Sequence, residues 1–179
     1  CGSYPNSYRA PGFSIGPKNT WALEVLRECG VEIDCSVFPL NRAHGGFSEF
    51  GCAEPCLIQL KNSQTIKEFP MSVNTVLGKK FIISGGGYFR ITPFIFIKHY
   101  VYRSDYLMTY FHPRDFDPDQ PIISGLSAFR HFKTYVGISK SMAKLEKLLK
   151  NNKFISLEEA NFSIDWQSVK SIELAKLSK

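Results

Sequence analysis

A helix that leads directly into a strand, near the start of the chain, constrains the fold more than any other feature of the sequence. An Asn-Thr pair of helix-capping residues precedes a predicted helix over residues 21–29, and Gly30 ends that helix. The following run, VEIDCSVFP, alternates as a short strand does, and Pro39 closes it. Helices that alternate with strands in this way are typical of α/β proteins.

The rest of the chain continues this mixture of strands and helices. We expect a Gly-rich loop over residues 41–56 and helices over residues 93–102 and 139–151. The spacing of Ser156 and Glu159 matches a capping box at the start of a further helix. Strands or extended segments are predicted at CLIQL, IKEFPMSV, KKFIIS, YLMTYFH and FRHFKTYV.

Length, charge and cysteine usage narrow the class of protein. The 179 residues predict a single domain over residues 1–179, with a C-terminal helical extension over residues 156–179. The net charge is +6, but the excess lysines lie in the C-terminal third, where a charged helix face is usually solvated. Nucleic acid is therefore not expected as a partner.

No apolar run approaches the ~18 residues that a membrane span requires. The five cysteines lack a disulfide pattern, which favours reduced thiols and a cytoplasmic location.

The segment MTYFHPRDFDPDQP is the strongest candidate for a catalytic site. His112 stands at the end of a predicted strand, and Pro113 restricts the backbone after it. Carboxylates follow at Asp115, Asp117 and Asp119. Nearby carboxylates stabilise an imidazolium ion, which suits a histidine that acts as a general acid at neutral pH. The alternative is a polar turn in which the histidine is only a capping residue.

Arg9 and Asp34 are further candidates, each with a structural alternative. Arg9 lies in the turn YRAPG and has the planar donors to clamp a carboxylate with two hydrogen bonds. Alone, it is explained as well by a surface arginine before a turn. Asp34 lies in a strand with apolar neighbours, so it is either buried with a partner or faces solvent. For a buried Asp34 we expect a histidine or arginine partner.

Glycine and cysteine clusters suggest two other sites. The glycine run 85–87 lacks the lysine and the spacing of a phosphate-binding loop, so we expect it to permit close approach to a ligand or a neighbouring strand. The next residue, Tyr88, offers a ring face for stacking on a sugar. His44, Cys52 and Cys56 have a spacing that suits zinc, but a fourth ligand is not evident and no metal site is predicted.

Several stretches, taken in order, closely resemble the polysaccharide deacetylases of the NodB-homology carbohydrate esterase family. The likeness is to the bacterial branch associated with exopolysaccharide and O-antigen synthesis, and it covers about residues 7 to 155. The resembling stretches are YRAPGFSI, WALEVLRECGVEIDCSVFP, EFPMSV, GGGYFR, YFHPRDFDPDQP and FKTYVG. The resemblance implies a distorted (β/α) barrel and metal-dependent N- or O-deacetylation. In such enzymes a zinc-like ion, held by an aspartate and two histidines, polarises the acetyl carbonyl and a water.

The resemblance also implies roles for individual residues. Arg9 matches the arginine of an Arg-x-Pro motif that orients the catalytic base, and Asp34 matches an acid that tunes the general acid. The usual Asp-Trp pair is replaced here by Asp34-Cys35. His112, in Tyr-Phe-His, matches the general acid. We expect substrate contacts from Pro11, Gly12, Gly86, Gly87, Tyr88, Tyr110, Asp115 and Asp117.

Two motifs of that family are absent. The chain contains neither a Thr-x-Asp-Asp/Glu motif before Arg9 nor a His-x-x-x-His pair. We therefore expect the C-terminal portion of a deacetylase domain, an incomplete barrel without its N-terminal strands, which is catalytically incomplete alone. A divalent metal, zinc above all, is expected for the complete enzyme and none for this chain by itself. The expected partners are an acetylated polysaccharide or glycan and, through open barrel edges, the missing N-terminal part.

Two other hypotheses remain open. A non-catalytic carbohydrate-binding or assembly protein would keep the groove, with Tyr88, Phe89 and Tyr110 stacking on sugar. A basic module for nucleic acid would use the lysine-rich tail and bind any polyanion with a steep dependence on salt.

Overall fold

A computed structural model describes residues 2, 4–42, 45–76 and 78–177. Contacts divide the chain into two units, the first formed by residues 1–81 and 164–179 and the second by residues 82–163. Helices and strands both occur, and the larger sheet is rich in parallel pairs. The predicted α/β class is therefore confirmed.

Among its described residues, the first unit contains the strands and one α-helix. Short 3₁₀ turns also occur at Pro11–Phe13, Ser48–Phe50 and Leu174–Lys176. The regular elements are β1 (Ser7–Tyr8), α1 (Trp21–Glu28), β2 (Ile33–Asp34), β3 (Cys56–Gln59), β4 (Thr65–Glu68), β5 (Asn74–Val76), β6 (Lys79–Phe81) and β7 (Ser171–Glu173). Helix α1 and the strand after it confirm the predicted helix-to-strand succession.

Within the described residues, five strands form a sheet in the order β1-β2-β4-β3-β7. The pairs β1-β2, β2-β4 and β3-β7 are parallel, whereas β3 and β4 are antiparallel. Strands β5 and β6 form a separate antiparallel pair. A barrel requires the sheet to close on itself, and the described strands form no closed barrel.

The register of the sheet places polar side chains inside the first unit. Cys56 and Ile58 of β3 lie opposite Glu68 and Ile66 of β4, and all four are buried. Because side chains alternate along a strand, Glu68 must share the core face with Ile66. The apolar core around this face contains Ala10, Ile15, Leu23, Val31, Val37, Phe47, Phe50, Cys56, Ile58, Leu60, Ile66, Ile172 and Leu174.

The second unit is helical in its described elements. They are α2 (Gly86–Ile91), α3 (Phe94–Tyr102), α4 (Ala128–Tyr135), α5 (Ile138–Asn151), α6 (Leu157–Ser163) and a 3₁₀ turn at Pro113–Asp115. Phe89, Ile97 and Leu148 form its buried cluster. Helices α3 and α5 confirm the two helices predicted over residues 93–102 and 139–151.

Two predicted extended segments are wrong. The run FRHFKTYV forms most of α4, which begins where the Ser127 hydroxyl accepts a hydrogen bond from the backbone N–H of Arg130. An N-terminal cap and an amphipathic pattern outweigh the β propensity of its aromatic residues. The run YLMTYFH forms no strand, because its only described ladder contact is an isolated bridge between Tyr110 and Gly85.

The predicted capping box at Ser156 is confirmed. The backbone N–H of Ser156 donates to Glu159 Oε2 at 2.7 Å, and the backbone N–H of Glu159 donates to Ser156 Oγ at 3.1 Å. These hydrogen bonds hold the pKa of Glu159 below its usual value. The predicted helical extension over residues 156–179 contains α6, strand β7 and a 3₁₀ turn. No helix in the described ranges is long and apolar enough to cross a bilayer.

Candidate active site

The predicted catalytic residues lie in both units. Arg9 and Asp34 belong to the first unit, and His112 belongs to the second.

Asp34 ends β2 and is completely buried. Its carboxylate accepts the backbone N–H of Ser36 at 3.1 Å and the Ser36 hydroxyl at 2.6 Å. The Ser36 hydroxyl oxygen in turn accepts the backbone N–H of Ala10 at 2.7 Å. Asp34 is thus linked through one serine to the backbone that directly follows Arg9.

Glu68 is a second buried carboxyl group that the sequence analysis missed. It pairs with Asp34 in the parallel register of β4 and β2, and the two side chains are in hydrogen-bond contact. Glu68 Oε1 also accepts the backbone N–H of Val37 at 3.1 Å. The partner expected for a buried Asp34 was a histidine or arginine, whereas the first unit provides a serine and a glutamate. Alternation with the buried Ile66 was the signal that placed Glu68 on the core face.

Burial governs the acidity of the two carboxyl groups. Burial and the nearby charge of Asp34 raise the pKa of Glu68 well above its usual range. Burial also raises the pKa of Asp34, although hydrogen bonds with Glu68 and Ser36 oppose that rise. With both groups ionised, Glu68 Oε2 would be buried without a hydrogen-bond donor. A proton carried by Glu68 and donated to Asp34 removes that deficit, and the raised pKa of Glu68 favours this arrangement.

The Arg9 side chain is exposed, but a hydrogen bond from its Nε limits its movement. Its Nε donates to the backbone carbonyl of Cys35 at 3.1 Å. The guanidinium carbon lies 5.6 Å from the centre of the Phe13 ring, and that of Arg42 lies 5.4 Å from the same ring. Two cations on one aromatic ring give this turn a local positive field that favours a carboxylate or another anion.

The turn that follows Arg9 has an unusual backbone. Gly12 has a φ of 64° and Phe13 a φ of 56°, both in the left-handed region. For a bulky residue such as Phe13 that conformation is strained, and it persists only where the surroundings impose it. The Phe13 ring is buried against Phe38 at a centroid distance of 5.3 Å. The exposed Pro11 and Gly12, both predicted substrate contacts, therefore lie on a rigid turn.

His112 lies in the second unit with its backbone held and its side chain exposed. Its backbone N–H donates to Asp115 Oδ2 at 3.0 Å, and the backbone N–H of Asp115 donates to the His112 carbonyl at 2.8 Å. This reciprocal pair and the following Pro113 fix the direction of the chain at the histidine.

Asp115 belongs to the interior of the second unit rather than to its surface. Its Oδ1 lies 3.4 Å from Arg90 Nε, and both side chains are buried. Arg90 also donates to the carbonyls of Thr134 at 2.6 Å and Lys133 at 3.1 Å. The backbone carbonyl of Asp115 accepts a hydrogen bond from the Ser141 hydroxyl. Asp115, expected to contact substrate, thus anchors the loop that carries His112.

Asp117, the other predicted acidic contact, is exposed. Its Oδ1 accepts the backbone N–H of Asp119 at 3.0 Å, and its backbone carbonyl accepts Gln120 Nε2 at 2.8 Å. These contacts shape the turn after His112, while the side chain remains accessible from solvent.

The glycine run permits the close approach that the sequence analysis predicted. A Cβ on Gly85 would overlap the carbonyl oxygen of Tyr110, and a Cβ on Gly86 would lie 3.2 Å from the Tyr110 hydroxyl. Gly87 has no such constraint, because its nearest neighbour would lie at 3.5 Å. The close partner is thus the segment that carries Tyr110.

The two aromatic residues after the glycines differ in position. Tyr88 is 53% exposed and remains available for stacking. Phe89 is 1% exposed, with its ring edge-on to Phe111 at 4.9 Å. The hypothesis that Phe89 stacks on sugar is therefore wrong, because its ring lies in the core.

The structure gives no support to a metal centre built from the described residues. No three histidine, cysteine, aspartate or glutamate side chains among them form a group suited to a metal ion. Cys52 and Cys56 are in contact, but His44, the third member of the zinc hypothesis, lies outside the described residues. A divalent ion therefore does not fit the described side chains of this chain, and no chemical step is assigned to one.

Comparison with known proteins adds a family relationship. No curated protein and no solved structure matches the chain. A family named domain of unknown function DUF3473 matches residues 35–161, which include Glu68, the glycine run 85–87 and His112. Because this match covers most of the sequence, the chain belongs to the DUF3473 family.

Proposed function

We propose that the chain takes part in hydrolytic deacetylation of a bacterial polysaccharide or its glycan precursor, removing an N- or O-acetyl group. The observation that carries the proposal is the buried Asp34–Glu68 pair, linked through Ser36 to the backbone of the rigid turn that presents Arg9. Buried carboxyl groups with raised pKa values are typical of sites for proton transfer.

The order of the motifs supports the same function. Arg-x-Pro at Arg9, the acid Asp34, the glycine run 85–87 and Tyr-Phe-His at His112 follow one another as in the polysaccharide deacetylases that the sequence resembles. Parallel pairs β1-β2 and β2-β4 suit a sheet of the (β/α)-barrel type, and the proposal extends to that fold.

Each side chain has a role that suits its environment. The exposed imidazole of His112 donates a proton to the leaving group, and Asp115 holds the backbone that carries it. The guanidinium of Arg9 orients a carboxylate by charge and by paired hydrogen bonds. The pair of Asp34 and Glu68 stores a proton away from solvent. A complete enzyme of this class would hold a divalent ion that would supply Lewis-acid activation of water, and the described residues of this chain would not themselves bind it.

The experiment uses the full reading frame that encodes this chain, with acetylated glycan oligomers and acetate release as the readout. We expect metal-dependent release, and His112→Ala is expected to lower kcat by about 10²- to 10⁴-fold, as loss of a general acid does. His99→Ala is the matched control, because His99 is also exposed in the second unit, and it should retain full activity. Full activity of His112→Ala, or release that persists with chelator, would contradict the proposal.

The exposed ring of Tyr88 favours a second candidate, a carbohydrate-binding protein without catalysis. This candidate predicts calorimetric binding of acetylated glycans that does not require zinc and that weakens about 10-fold or more in Tyr88→Ala. Binding with no acetate release by the full reading frame would favour it over the deacetylase.

A further inference from the structure

Two cysteines form a contact at the start of β3 that the proposed deacetylation does not use. Cys52 lies in the loop after Gly51 and is partly exposed, whereas Cys56 is the first residue of β3 and is 0% exposed. The two thiols are in hydrogen-bond contact, and Cys52 Sγ also lies 3.4 Å from the carbonyl oxygen of Glu54. The contact brings one reachable and one buried sulfur together.

A cavity in the first unit opens on the outer sulfur. Its volume is about 230 Å³, and Cys52, Ser48, Thr75 and Lys80 are among its lining residues. Small polar molecules therefore have a route to Cys52. Cys56 does not line this cavity and lies behind Cys52 in the core.

The charges around the pair make the two sulfurs unequal. The hydrogen bond from Cys56 lowers the pKa of Cys52 to about 6, with help from the Lys170 ammonium and against the charge of Glu54. Lys170 is held close because its Nζ donates to the Gly51 carbonyl at 3.0 Å. The same hydrogen bond and burial raise the pKa of Cys56. The outer sulfur is thus the one that loses its proton first as pH rises, and the inner one keeps its proton.

We propose that Cys52 and Cys56 form a reversible redox pair, in which Cys52 is the site that reacts with a peroxide and Cys56 is the thiol that resolves it into a disulfide. A reachable thiolate in contact with a second, buried thiol is the arrangement that this chemistry needs.

The reaction balances with a peroxide as the oxidant. The Cys52 thiolate attacks one peroxide oxygen, so an S–O bond forms, the O–O bond breaks, and the other oxygen leaves as water or an alcohol after taking up a proton. The Cys56 sulfur then attacks the Cys52 sulfenic acid. The S–S bond forms, the S–O bond breaks, and hydroxide leaves with the Cys56 proton as water. Two thiols have lost two electrons, and a dithiol reductant reverses the change.

Mass spectrometry of the intact chain treated with hydrogen peroxide tests the proposal. The tryptic peptide between Arg42 and Lys61 carries Cys52 and Cys56 and no other cysteine. We expect this peptide to lose two hydrogens before Cys29, an exposed thiol, is oxidised, and to regain them with dithiothreitol. Earlier oxidation of Cys29, or a peptide that gains oxygen without forming a disulfide, would overturn the proposal.

The rate at which Cys52 is alkylated, compared between the folded and the unfolded chain, shows whether the fold or only the sequence spacing makes it reactive. At pH 6 about half of Cys52 is thiolate in the folded chain, against about 0.3% for a thiol of ordinary pKa, a ratio of about 160. A more acidic thiolate is a weaker nucleophile, and this lowers the expected ratio of reaction rates by about 10-fold. Alkylation by iodoacetamide should therefore be about 10-fold faster in the folded chain than in the urea-unfolded chain. Equal rates in the two states would refute the role of the fold.

Substitutions of the cysteines test which sulfur reacts with the peroxide and which one then forms the disulfide. Cys56→Ala keeps an apolar group in the core and should let dimedone trap a sulfenic acid on Cys52 after peroxide treatment, formed more slowly than in the wild type because the hydrogen bond from Cys56 is lost. Cys52→Ser should leave Cys56 unoxidised, because Cys56 is shielded from solvent. Cys29→Ser is the matched control and should form the disulfide as the wild type does. Peroxide oxidation of Cys56 in Cys52→Ser would reverse the assignment.

Discussion

The buried pair of Asp34 and Glu68 makes the stability of the first unit depend on pH above the range in which exposed carboxyl groups titrate. In the unfolded chain Glu68 loses its proton near 4.5, whereas burial and the charge of Asp34 raise its folded pKa well above that value. Between these two pKa values the folded state binds one more proton than the unfolded state. The contribution to stability is thus fully present below pH 4.5 and is lost as pH rises through the folded pKa.

The magnitude follows from the one proton involved. Within this window the free energy of unfolding falls by about 1.4 kcal/mol per pH unit. Glu68→Gln removes the titration while retaining an oxygen for the Val37 N–H and offering an amide donor to Asp34. The variant should therefore gain stability relative to the wild type by about 1.4 kcal/mol for each pH unit above about 4.5, until the folded pKa is passed.

Urea unfolding between about pH 4 and about pH 8 measures this difference. Both tryptophans, Trp21 and Trp166, lie in the first unit, so their fluorescence reports on the unit that holds the pair. Glu28→Gln is the control, because Glu28 is exposed in the same unit, and its curve should stay parallel to that of the wild type. Parallel curves for Glu68→Gln and wild type would refute the proton carried by Glu68.

Two further predictions concern the second unit, each with a control in the same segment. Gly85→Ala should lose more than about 2 kcal/mol of stability because its methyl would overlap the Tyr110 carbonyl, whereas Gly87→Ala should be neutral or gain up to about 1 kcal/mol in a helix. Denaturation followed by circular dichroism distinguishes them, and equal losses would contradict the packing argument. Asp115→Asn should lose about 3 kcal/mol by leaving a buried guanidinium without its carboxylate, and Asp117→Asn should change stability by less than about 0.5 kcal/mol. A neutral Asp115→Asn would show that the ion pair does not anchor the loop.

Helices whose ends depend on residues close to them in the chain could be predicted from the sequence. Helices α1, α3 and α5 were predicted from local sequence signals, although the capping residue predicted before α1 forms no side-chain cap there, and the capping box at Ser156 follows from a four-residue pattern. Aromatic segments were harder, because aromatic residues suit both strands and helix faces. The run that forms α4 was predicted as extended, although Ser127 before it carries an N-cap signal for a helix.

The candidate site was only partly accessible from sequence. Arg9, Asp34 and His112 were found because each occupies a motif, and the glycine run was found because it lacks side chains. Glu68 carries no motif, and only the register of β4 beside β2 brings its carboxyl group to Asp34. Likewise, the sequence does not distinguish Asp115 from the two other aspartates of its loop. Only the contact with Arg90 shows that Asp115 belongs to the interior.

The sequence by itself determined the α/β class and the main helices, because these depend on neighbours within a few residues. The glycine run indicated a close approach, but only the tertiary structure identified Tyr110 as the partner. Tertiary structure alone decided which polar groups are taken out of water. Asp34 and Glu68 are 34 positions apart in the chain, and Cys56 faces Glu68 across two strands. The acidity of a carboxyl group or a thiol depends on burial and on charges a few ångströms away, and those neighbours are set by strand register rather than by sequence distance.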